Sequence, residues 1–415
     1  VTPVPSPDLL PAPGPYWLFK ALLWTTFLLH LLFMNATWGG SLLLSAFLFK
    51  GREKHLEVAR SLAALLPYAT AMAIVFGVAP LLFIQVIHGR LFYSASILLG
   101  APFLLVIPVL LAAYSLLYLL RRKLSQAWGP GPYVSLLVTA LLGYVGFVQA
   151  NVFALLTDPE RFRQKYLDHP AGFQFNLADF TVLPRFFHVL LASVALAGLY
   201  VAIRGAKRLP ADPEVGRWQF RSGITWFAGA TLVNFAVGIW WLLVLPPESL
   251  RSLMGGSLLG TIAFAVGLAA GLGALVLSLL GINSVKAGAF LHAAGGCLVL
   301  TILAMVLMRD VTREAALAAQ SPGRSVEIPQ WGAILLFLVL FAGGAALCAW
   351  MLARLRRASV EGQTETAPRP GLGDSGLHKV DPAESGVRKL IPSDSQPLKI
   401  PGPPSSGVRR LDDEE

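Results

Sequence analysis

LMGGSLLGTIAFAVGLAAGLGALVLSLL, residues 253–280, contains no Asp, Glu, Lys or Arg. About 20 such residues suffice for a helix to cross the hydrocarbon core of a bilayer. Comparable blocks recur along the whole chain, and together they predict nine spans, roughly 17–49, 61–87, 95–120, 133–156, 183–203, 222–245, 253–280, 286–308 and 331–353. The composition agrees, at 55% hydrophobic and only 13% charged over 415 residues. Soluble domains hold about 25% charged residues, so a water-soluble enzyme is excluded. A transmembrane barrel would instead show alternating segments of ~10 residues, and none is visible. The expected fold is an all-α polytopic membrane bundle of about nine helices.

The net charge of +10 is not a nucleic-acid signal, because most basic residues flank the apolar blocks, where they set orientation. With the N-terminus outside, 16 Lys and Arg fall in the inner loops, against nine in the outer ones, or ten with Lys20. The inner set includes Lys50, Arg52, Lys54, Arg121, Arg122, Lys123, Arg217, Arg221 and Lys286. The bias predicts N-out, C-in. Residues 1–16 form a Pro-rich extracytoplasmic segment whose start lacks the basic and apolar regions of a signal peptide. The bundle is expected over 17–355. From 356 to 415 Pro, Gly, Ser and charge dominate, predicting a disordered cytoplasmic tail. That tail repeats SGLHKV (375–380), SGVRKL (385–390) and SGVRRL (406–411), either a docking motif or simply a solvated low-complexity segment.

Cys297 and Cys348 stand alone in apolar blocks, and no CxxCH occurs, so disulfide, Cys-metal and covalent c-type haem chemistry are not expected. The spans hold almost no acid, which argues against a carboxylate proton relay. They do hold histidine: His30 in span 1, His188 in span 5 and His292 in span 8, with His88 at the end of span 2. Ionisable side chains within a membrane are expensive and usually functional, and neutral imidazole is the usual haem ligand, sometimes opposite Met. His188 lies ~8 Å below the outer end of its helix at 1.5 Å per residue. Met254, at the start of span 7, is expected at similar depth. Arg185, one turn from His188, suits a haem propionate. Each residue also has a plainer reading: His188 as a hydrogen-bond partner of a neighbouring helix, Met254 as core filler, and His292, followed by Ala293, Ala294, Gly295 and Gly296, as a mark of close helix packing. His88 is a rival second ligand.

In order and spacing over about residues 20–310, the chain resembles subunit I of the cytochrome bd quinol oxidases. FLLHLLFMNATWGG (27–40) places His30 where that family carries a haem-ligating His. FIQVIHGRLFYSASILLGAP (83–102) matches a Phe-Gln, a Tyr-rich outer loop and Gly-Ala-Pro opening span 3. Ala150-Asn151 precedes Asp158-Pro159, PRFFH supplies Arg185 and His188, and SLMGG supplies Met254. The resemblance implies a membrane-bound b-type cytochrome in the bacterial inner (cytoplasmic) membrane. It would hold haem b through His188 and Met254, with a second haem at His30, for which His292 is a candidate partner. Electrons would pass between quinol and a redox partner near the outer face, either a second membrane subunit or an extracytoplasmic cytochrome c. Such a chain would be a quinol-oxidising oxidoreductase subunit.

The departures narrow this. The family's two span 3 glutamates fall at Val106 and Tyr114, and the long outer loop before span 7 shrinks to about Pro246–Ser252. No acid lies between Lys286 and Arg309, where the family has a haem-ligating glutamate. Oxygen reduction is therefore not expected. The alternatives are a cofactor-poor structural or assembly subunit of a respiratory complex and, last, a transporter.

Overall fold

The computed structural model describes residues 11–124, 129–168, 172–282, 284, 287–318 and 326–365. The tail repeats, His169, Lys286 and His378 lie outside them. The chain divides into two units, 1–339 and 340–415. The described part of the second unit is the later portion of the last helix.

Eleven helices follow one another: α1 (Tyr16–Lys50), α2 (Glu53–Leu98), α3 (Gly100–Lys123), α4 (Gly131–Leu156), α5 (Glu160–Asp168), α6 (Val182–Arg208), α7 (Pro213–Leu243), α8 (Pro247–Arg251), α9 (Leu258–Gly281), α10 (Ala287–Ala318) and α11 (Trp331–Glu365). A single π-helical turn, Ser252–Gly256, joins α8 to α9. Among the described residues eight helices are long and apolar enough to cross a membrane: α1–α4, α6, α7, α9 and α10. The protein is thus a multi-pass helical membrane bundle. The ninth expected span corresponds to α11, whose described apolar stretch, Trp331–Gly344, is shorter than a crossing.

Close backbone approach organises the packing. Without water between them, membrane helices associate by fitting small residues together. A Cβ on Gly205 would lie 2.3 Å from the Phe220 backbone nitrogen, and one on Gly223 2.2 Å from that of Ala202. α6 and α7 therefore form a hairpin in backbone contact. Asp212 starts α7, accepting a hydrogen bond from the Val215 N–H at 3.0 Å, as an N-cap does. This capped turn also holds Arg208, which pairs with Glu57 of α2. α1 crosses α6 at Gly39, where a Cβ would fall 1.8 Å from the Ser193 carbonyl oxygen. A polar seam ties α1 to α4 through Ser45 Oγ–Ser135 Oγ (2.9 Å) and Trp38 Nε1 donating to the Thr139 carbonyl (3.2 Å). Leu43, Leu44, Phe47, Leu62, Leu66 and Phe227 are fully buried between these helices. Leu104, Ile107 and Leu111 of α3 point outward, as a lipid-facing surface requires.

Three elements depart from the expectation. α2 is one helix of 46 residues rather than a span followed by a loop, and it is bent at His88 (φ −128°, ψ 37°). Its continuation buries Phe92, Ala95, Leu98 and Leu99 against Val148 and Val152 of α4, a helical spacing that packing rewards. α10 runs to Ala318, past the apolar block that ends near 308. Met254 lies in the π turn, not in α9; there Gly255 takes φ +104°, a left-handed value that suits glycine.

Candidate functional site

α1 begins at the face where α2 ends, α6 begins and α10 finishes; this near face gathers the polar groups of the bundle. Lys20 of α1 donates to Asp310 Oδ2 at 2.5 Å and to Glu314 Oε1 at 2.8 Å, both on α10. Tyr16 Oη donates to the same Glu314 oxygen at 2.9 Å, and His88 Nε2 lies 3.2 Å from it. Arg313 closes the set on Asp310. His88, expected as a rival haem ligand, lies beside this carboxylate, its buried Nε2 without a hydrogen bond of good geometry. Buried charge of this kind requires partners, and Asp310 and Glu314 extend α10 beyond its apolar run because Lys20 meets them.

Deeper in the bundle lies a cationic cluster. Arg185 and His188 stand one turn apart on α6, and Arg309 of α10 is near enough to act on both electrostatically. All three are half-buried. Among the described residues neither Arg185 nor Arg309 has a carboxylate within salt-bridge distance (4.0 Å). The nearest acid influence on Arg185 is Asp179. A short structured connection positions that aspartate: Asn176 N–H donates to Asn151 Oδ1 (2.8 Å), and Asp179 accepts from Thr181 N–H (2.8 Å).

His188 Nδ1 is buried and meets no partner of good hydrogen-bond geometry, although the ring lies against the polar backbone of Asn234. On α7 the ring meets the backbone of Asn234 and, one turn on, Gly238, whose added Cβ would sit 3.5 Å from Cε1. The arginine of this cluster missing from the sequence reading is Arg309. Its guanidinium lies 5.8 Å from the centre of the Phe27 ring, within cation–π range. Phe27 in turn stacks on His30, with centroids 6.2 Å apart and planes 19° from parallel. Phe27 therefore bridges the first-helix histidine and the arginine beside His188.

His30 is half-buried, and its Nδ1 lies 2.9 Å from the Ala73 carbonyl oxygen. A carbonyl only accepts, so Nδ1 carries the proton and Nε2 keeps its lone pair, the form a metal requires. Gly77 gives the ring its place on α2, since a Cβ there would fall 2.8 Å from Cε1. His292 has the same tautomer by the same logic, its Nδ1 being 2.6 Å from the Gly288 carbonyl of its own helix, but it is exposed on the flank of α10. Met254 is 56% exposed in the turn before α9. Among the described residues no three His, Cys, Asp or Glu side chains gather as a metal-ion site; the available donors are single imidazoles on separate helices.

An imidazole, two half-buried guanidinium groups without carboxylates and a glycine against the ring are groups that could hold a planar, acidic cofactor such as haem. His30, in the tautomer with Nε2 unprotonated, is linked to Arg309 through Phe27.

Comparison with known proteins gives no match to a family model and none to a curated relative. Among solved structures, the bd oxidase from Geobacillus thermodenitrificans is similar in fold, with a TM-score of 0.63 at 13% identity, over 84% of this chain and 100% of that one.

Proposed function

We propose that this chain is a membrane-bound b-type cytochrome that passes electrons between the quinol pool and a redox partner near the outer face of the membrane. The observation that carries the reading is the cluster of His188, Arg185 and Arg309, in which two guanidinium groups have no carboxylate within 4.0 Å among the described residues. Charges left so in a membrane protein call for a compensating anion. The fold likeness to a bd oxidase favours haem as that group.

His188 and Met254 would hold the haem iron, Met254 from a turn in which it and Gly255 leave helical geometry. Arg185 and Arg309 would neutralise the propionates, and Phe27 would keep Arg309 in place. His30 would hold a second haem, with His292 a further candidate donor. Haem supplies reversible one-electron chemistry when bound. The protein supplies the orientation, the exclusion of water and the local positive field that fixes the potential. A second membrane subunit is the natural partner for the exposed apolar flanks, and an extracytoplasmic cytochrome c an alternative acceptor.

The test is a pair of variants read by reduced-minus-oxidised visible spectra. His188→Ala should abolish the low-spin haem signal, while Met254→Leu should convert it towards high spin with haem retained. Spectra unchanged in both variants would refute the ligand assignment.

A further inference from the structure

At the opposite, far face, where α1 ends and α7 begins, a groove of about 1240 Å³ opens along the side of the bundle. Its mouth carries Lys50, Lys54, Arg217 and Arg221. Only Lys54 is neutralised, by Glu214 at 2.5 Å. Lys50, Arg217 and Arg221 are exposed and have no carboxylate within 4.0 Å among the described residues. His55 also lines the mouth, buried, with its Nδ1 making no hydrogen bond and its ring edge-on to Trp218 at 4.8 Å.

Beyond the mouth the lining turns apolar. Leu190, Leu191 and Val194 of α6 face Trp226, Ala230 and Val233 of α7. From Arg221 to Val233 the wall rises ~18 Å at 1.5 Å per residue. One leaflet of hydrocarbon is about 15 Å deep, half of the ~30 Å core. Cationic mouth, aromatic collar and apolar channel thus follow one another over the length of a single acylated lipid.

We infer that this groove is a specific site for one anionic glycerophospholipid of the inner leaflet. Its phosphate would sit among Arg217, Arg221 and Lys50, its acyl chains along α6 and α7. Basic residues merely setting orientation would spread over the loops; here three unpaired cations converge on the head of a channel that accepts chains. The cationic mouth of this site lies at the other end of α6 from Arg185, although the apolar lining reaches Leu191, one turn from His188; the test of the site does not depend on haem.

The probe is phosphatidylglycerol against phosphatidylcholine, each titrated into the purified full chain in detergent and counted by native mass spectrometry. The wild type should prefer phosphatidylglycerol by about tenfold, the scale of interfacial attraction to a few basic residues. Arg217→Gln/Arg221→Gln should erase that preference. Gly229→Leu is the complementary variant: Gly229 lines the groove and has no heavy atom within 4 Å of an added Cβ, so a side chain can start there into open space. It leaves every charge in place, fills the chain slot and should weaken both lipids alike. Equal binding of the two lipids by the wild type would overturn the inference. So would a preference that survives Arg217→Gln/Arg221→Gln, binding of both lipids left unweakened by Gly229→Leu, or inorganic phosphate displacing the lipid at equal concentration, which would make the mouth a free-anion site.

Discussion

Replacing Lys20 with methionine tests how the near face is held together. The Lys20 side chain is 9% exposed and that of Asp310 6%, so their 2.5 Å contact is shielded from water. Removing one partner of such a pair strands a buried charge, at a cost of about 3–5 kcal/mol. The second contact, to Glu314, adds little, because that side chain is 37% exposed and exposed pairs contribute about 0–1 kcal/mol. Arg313 remains on Asp310 and offsets part of the loss, which places the net effect near 3 kcal/mol, the low end of the range. For a chain of this size that is a fall in Tm of about 3–6 °C, read by fluorescence-detected thermal shift in one detergent. The double variant Lys20→Met/Asp310→Asn removes both members of the pair and should regain part of the loss, the remainder being the cost of leaving Arg313 without Asp310. A single variant within about 1 °C of wild type, where ~3 kcal/mol is expected, would refute the reasoning. So would a double variant no more stable than the single one.

Other consequences are as direct. Gly223→Leu forces a side chain into backbone 2.2 Å away, so the α6–α7 hairpin should separate and folded protein should be lost from detergent extracts, while Gly229→Leu on the same helix is tolerated. Arg309→Gln should lower haem retention on washing, and it should shift the midpoint potential of any retained haem downward, since a positive charge near the ring is gone. Asp212 is held below its ordinary value chiefly by the Val215 N–H, with Arg208 adding to it. A depressed carboxyl stabilises the fold above its ordinary value of 3.8 and loses that contribution as pH falls through the lower folded value. Asp212→Asn keeps the cap, since Asn serves as well there, and should flatten this acid limb of the stability profile. An identical acid limb in both proteins would contradict the assignment.

Much of the bundle was legible because lipid leaves little choice: apolar blocks free of charge had to become helices. Orientation signals stood beside them, and α1, α4, α6 and α10 begin close to where the patterning ends them. The misreadings came from segments whose state depends on a distant partner. His88 to Leu98 looks like a polar loop until Phe92 and Leu98 find α4, and Asp310 to Ala318 looks terminal until Lys20 arrives from 290 residues away. His188 and Arg185 share one helix turn, so their pairing showed in the spacing. Arg309 belongs to the same cluster, yet nothing local distinguishes it from a residue flanking a span; only tertiary packing puts it over Phe27. The break at Met254 had its cue in Gly255-Gly256, two residues that allow a left-handed turn without requiring one.

The central claim is that the cluster around His188 holds an iron porphyrin. Purifying the full chain from haem-replete cells and measuring pyridine haemochrome per polypeptide tests it most directly. The account predicts at least one non-covalent haem b per chain, with the alpha band of a b-type haem. A colourless, correctly folded preparation would contradict it.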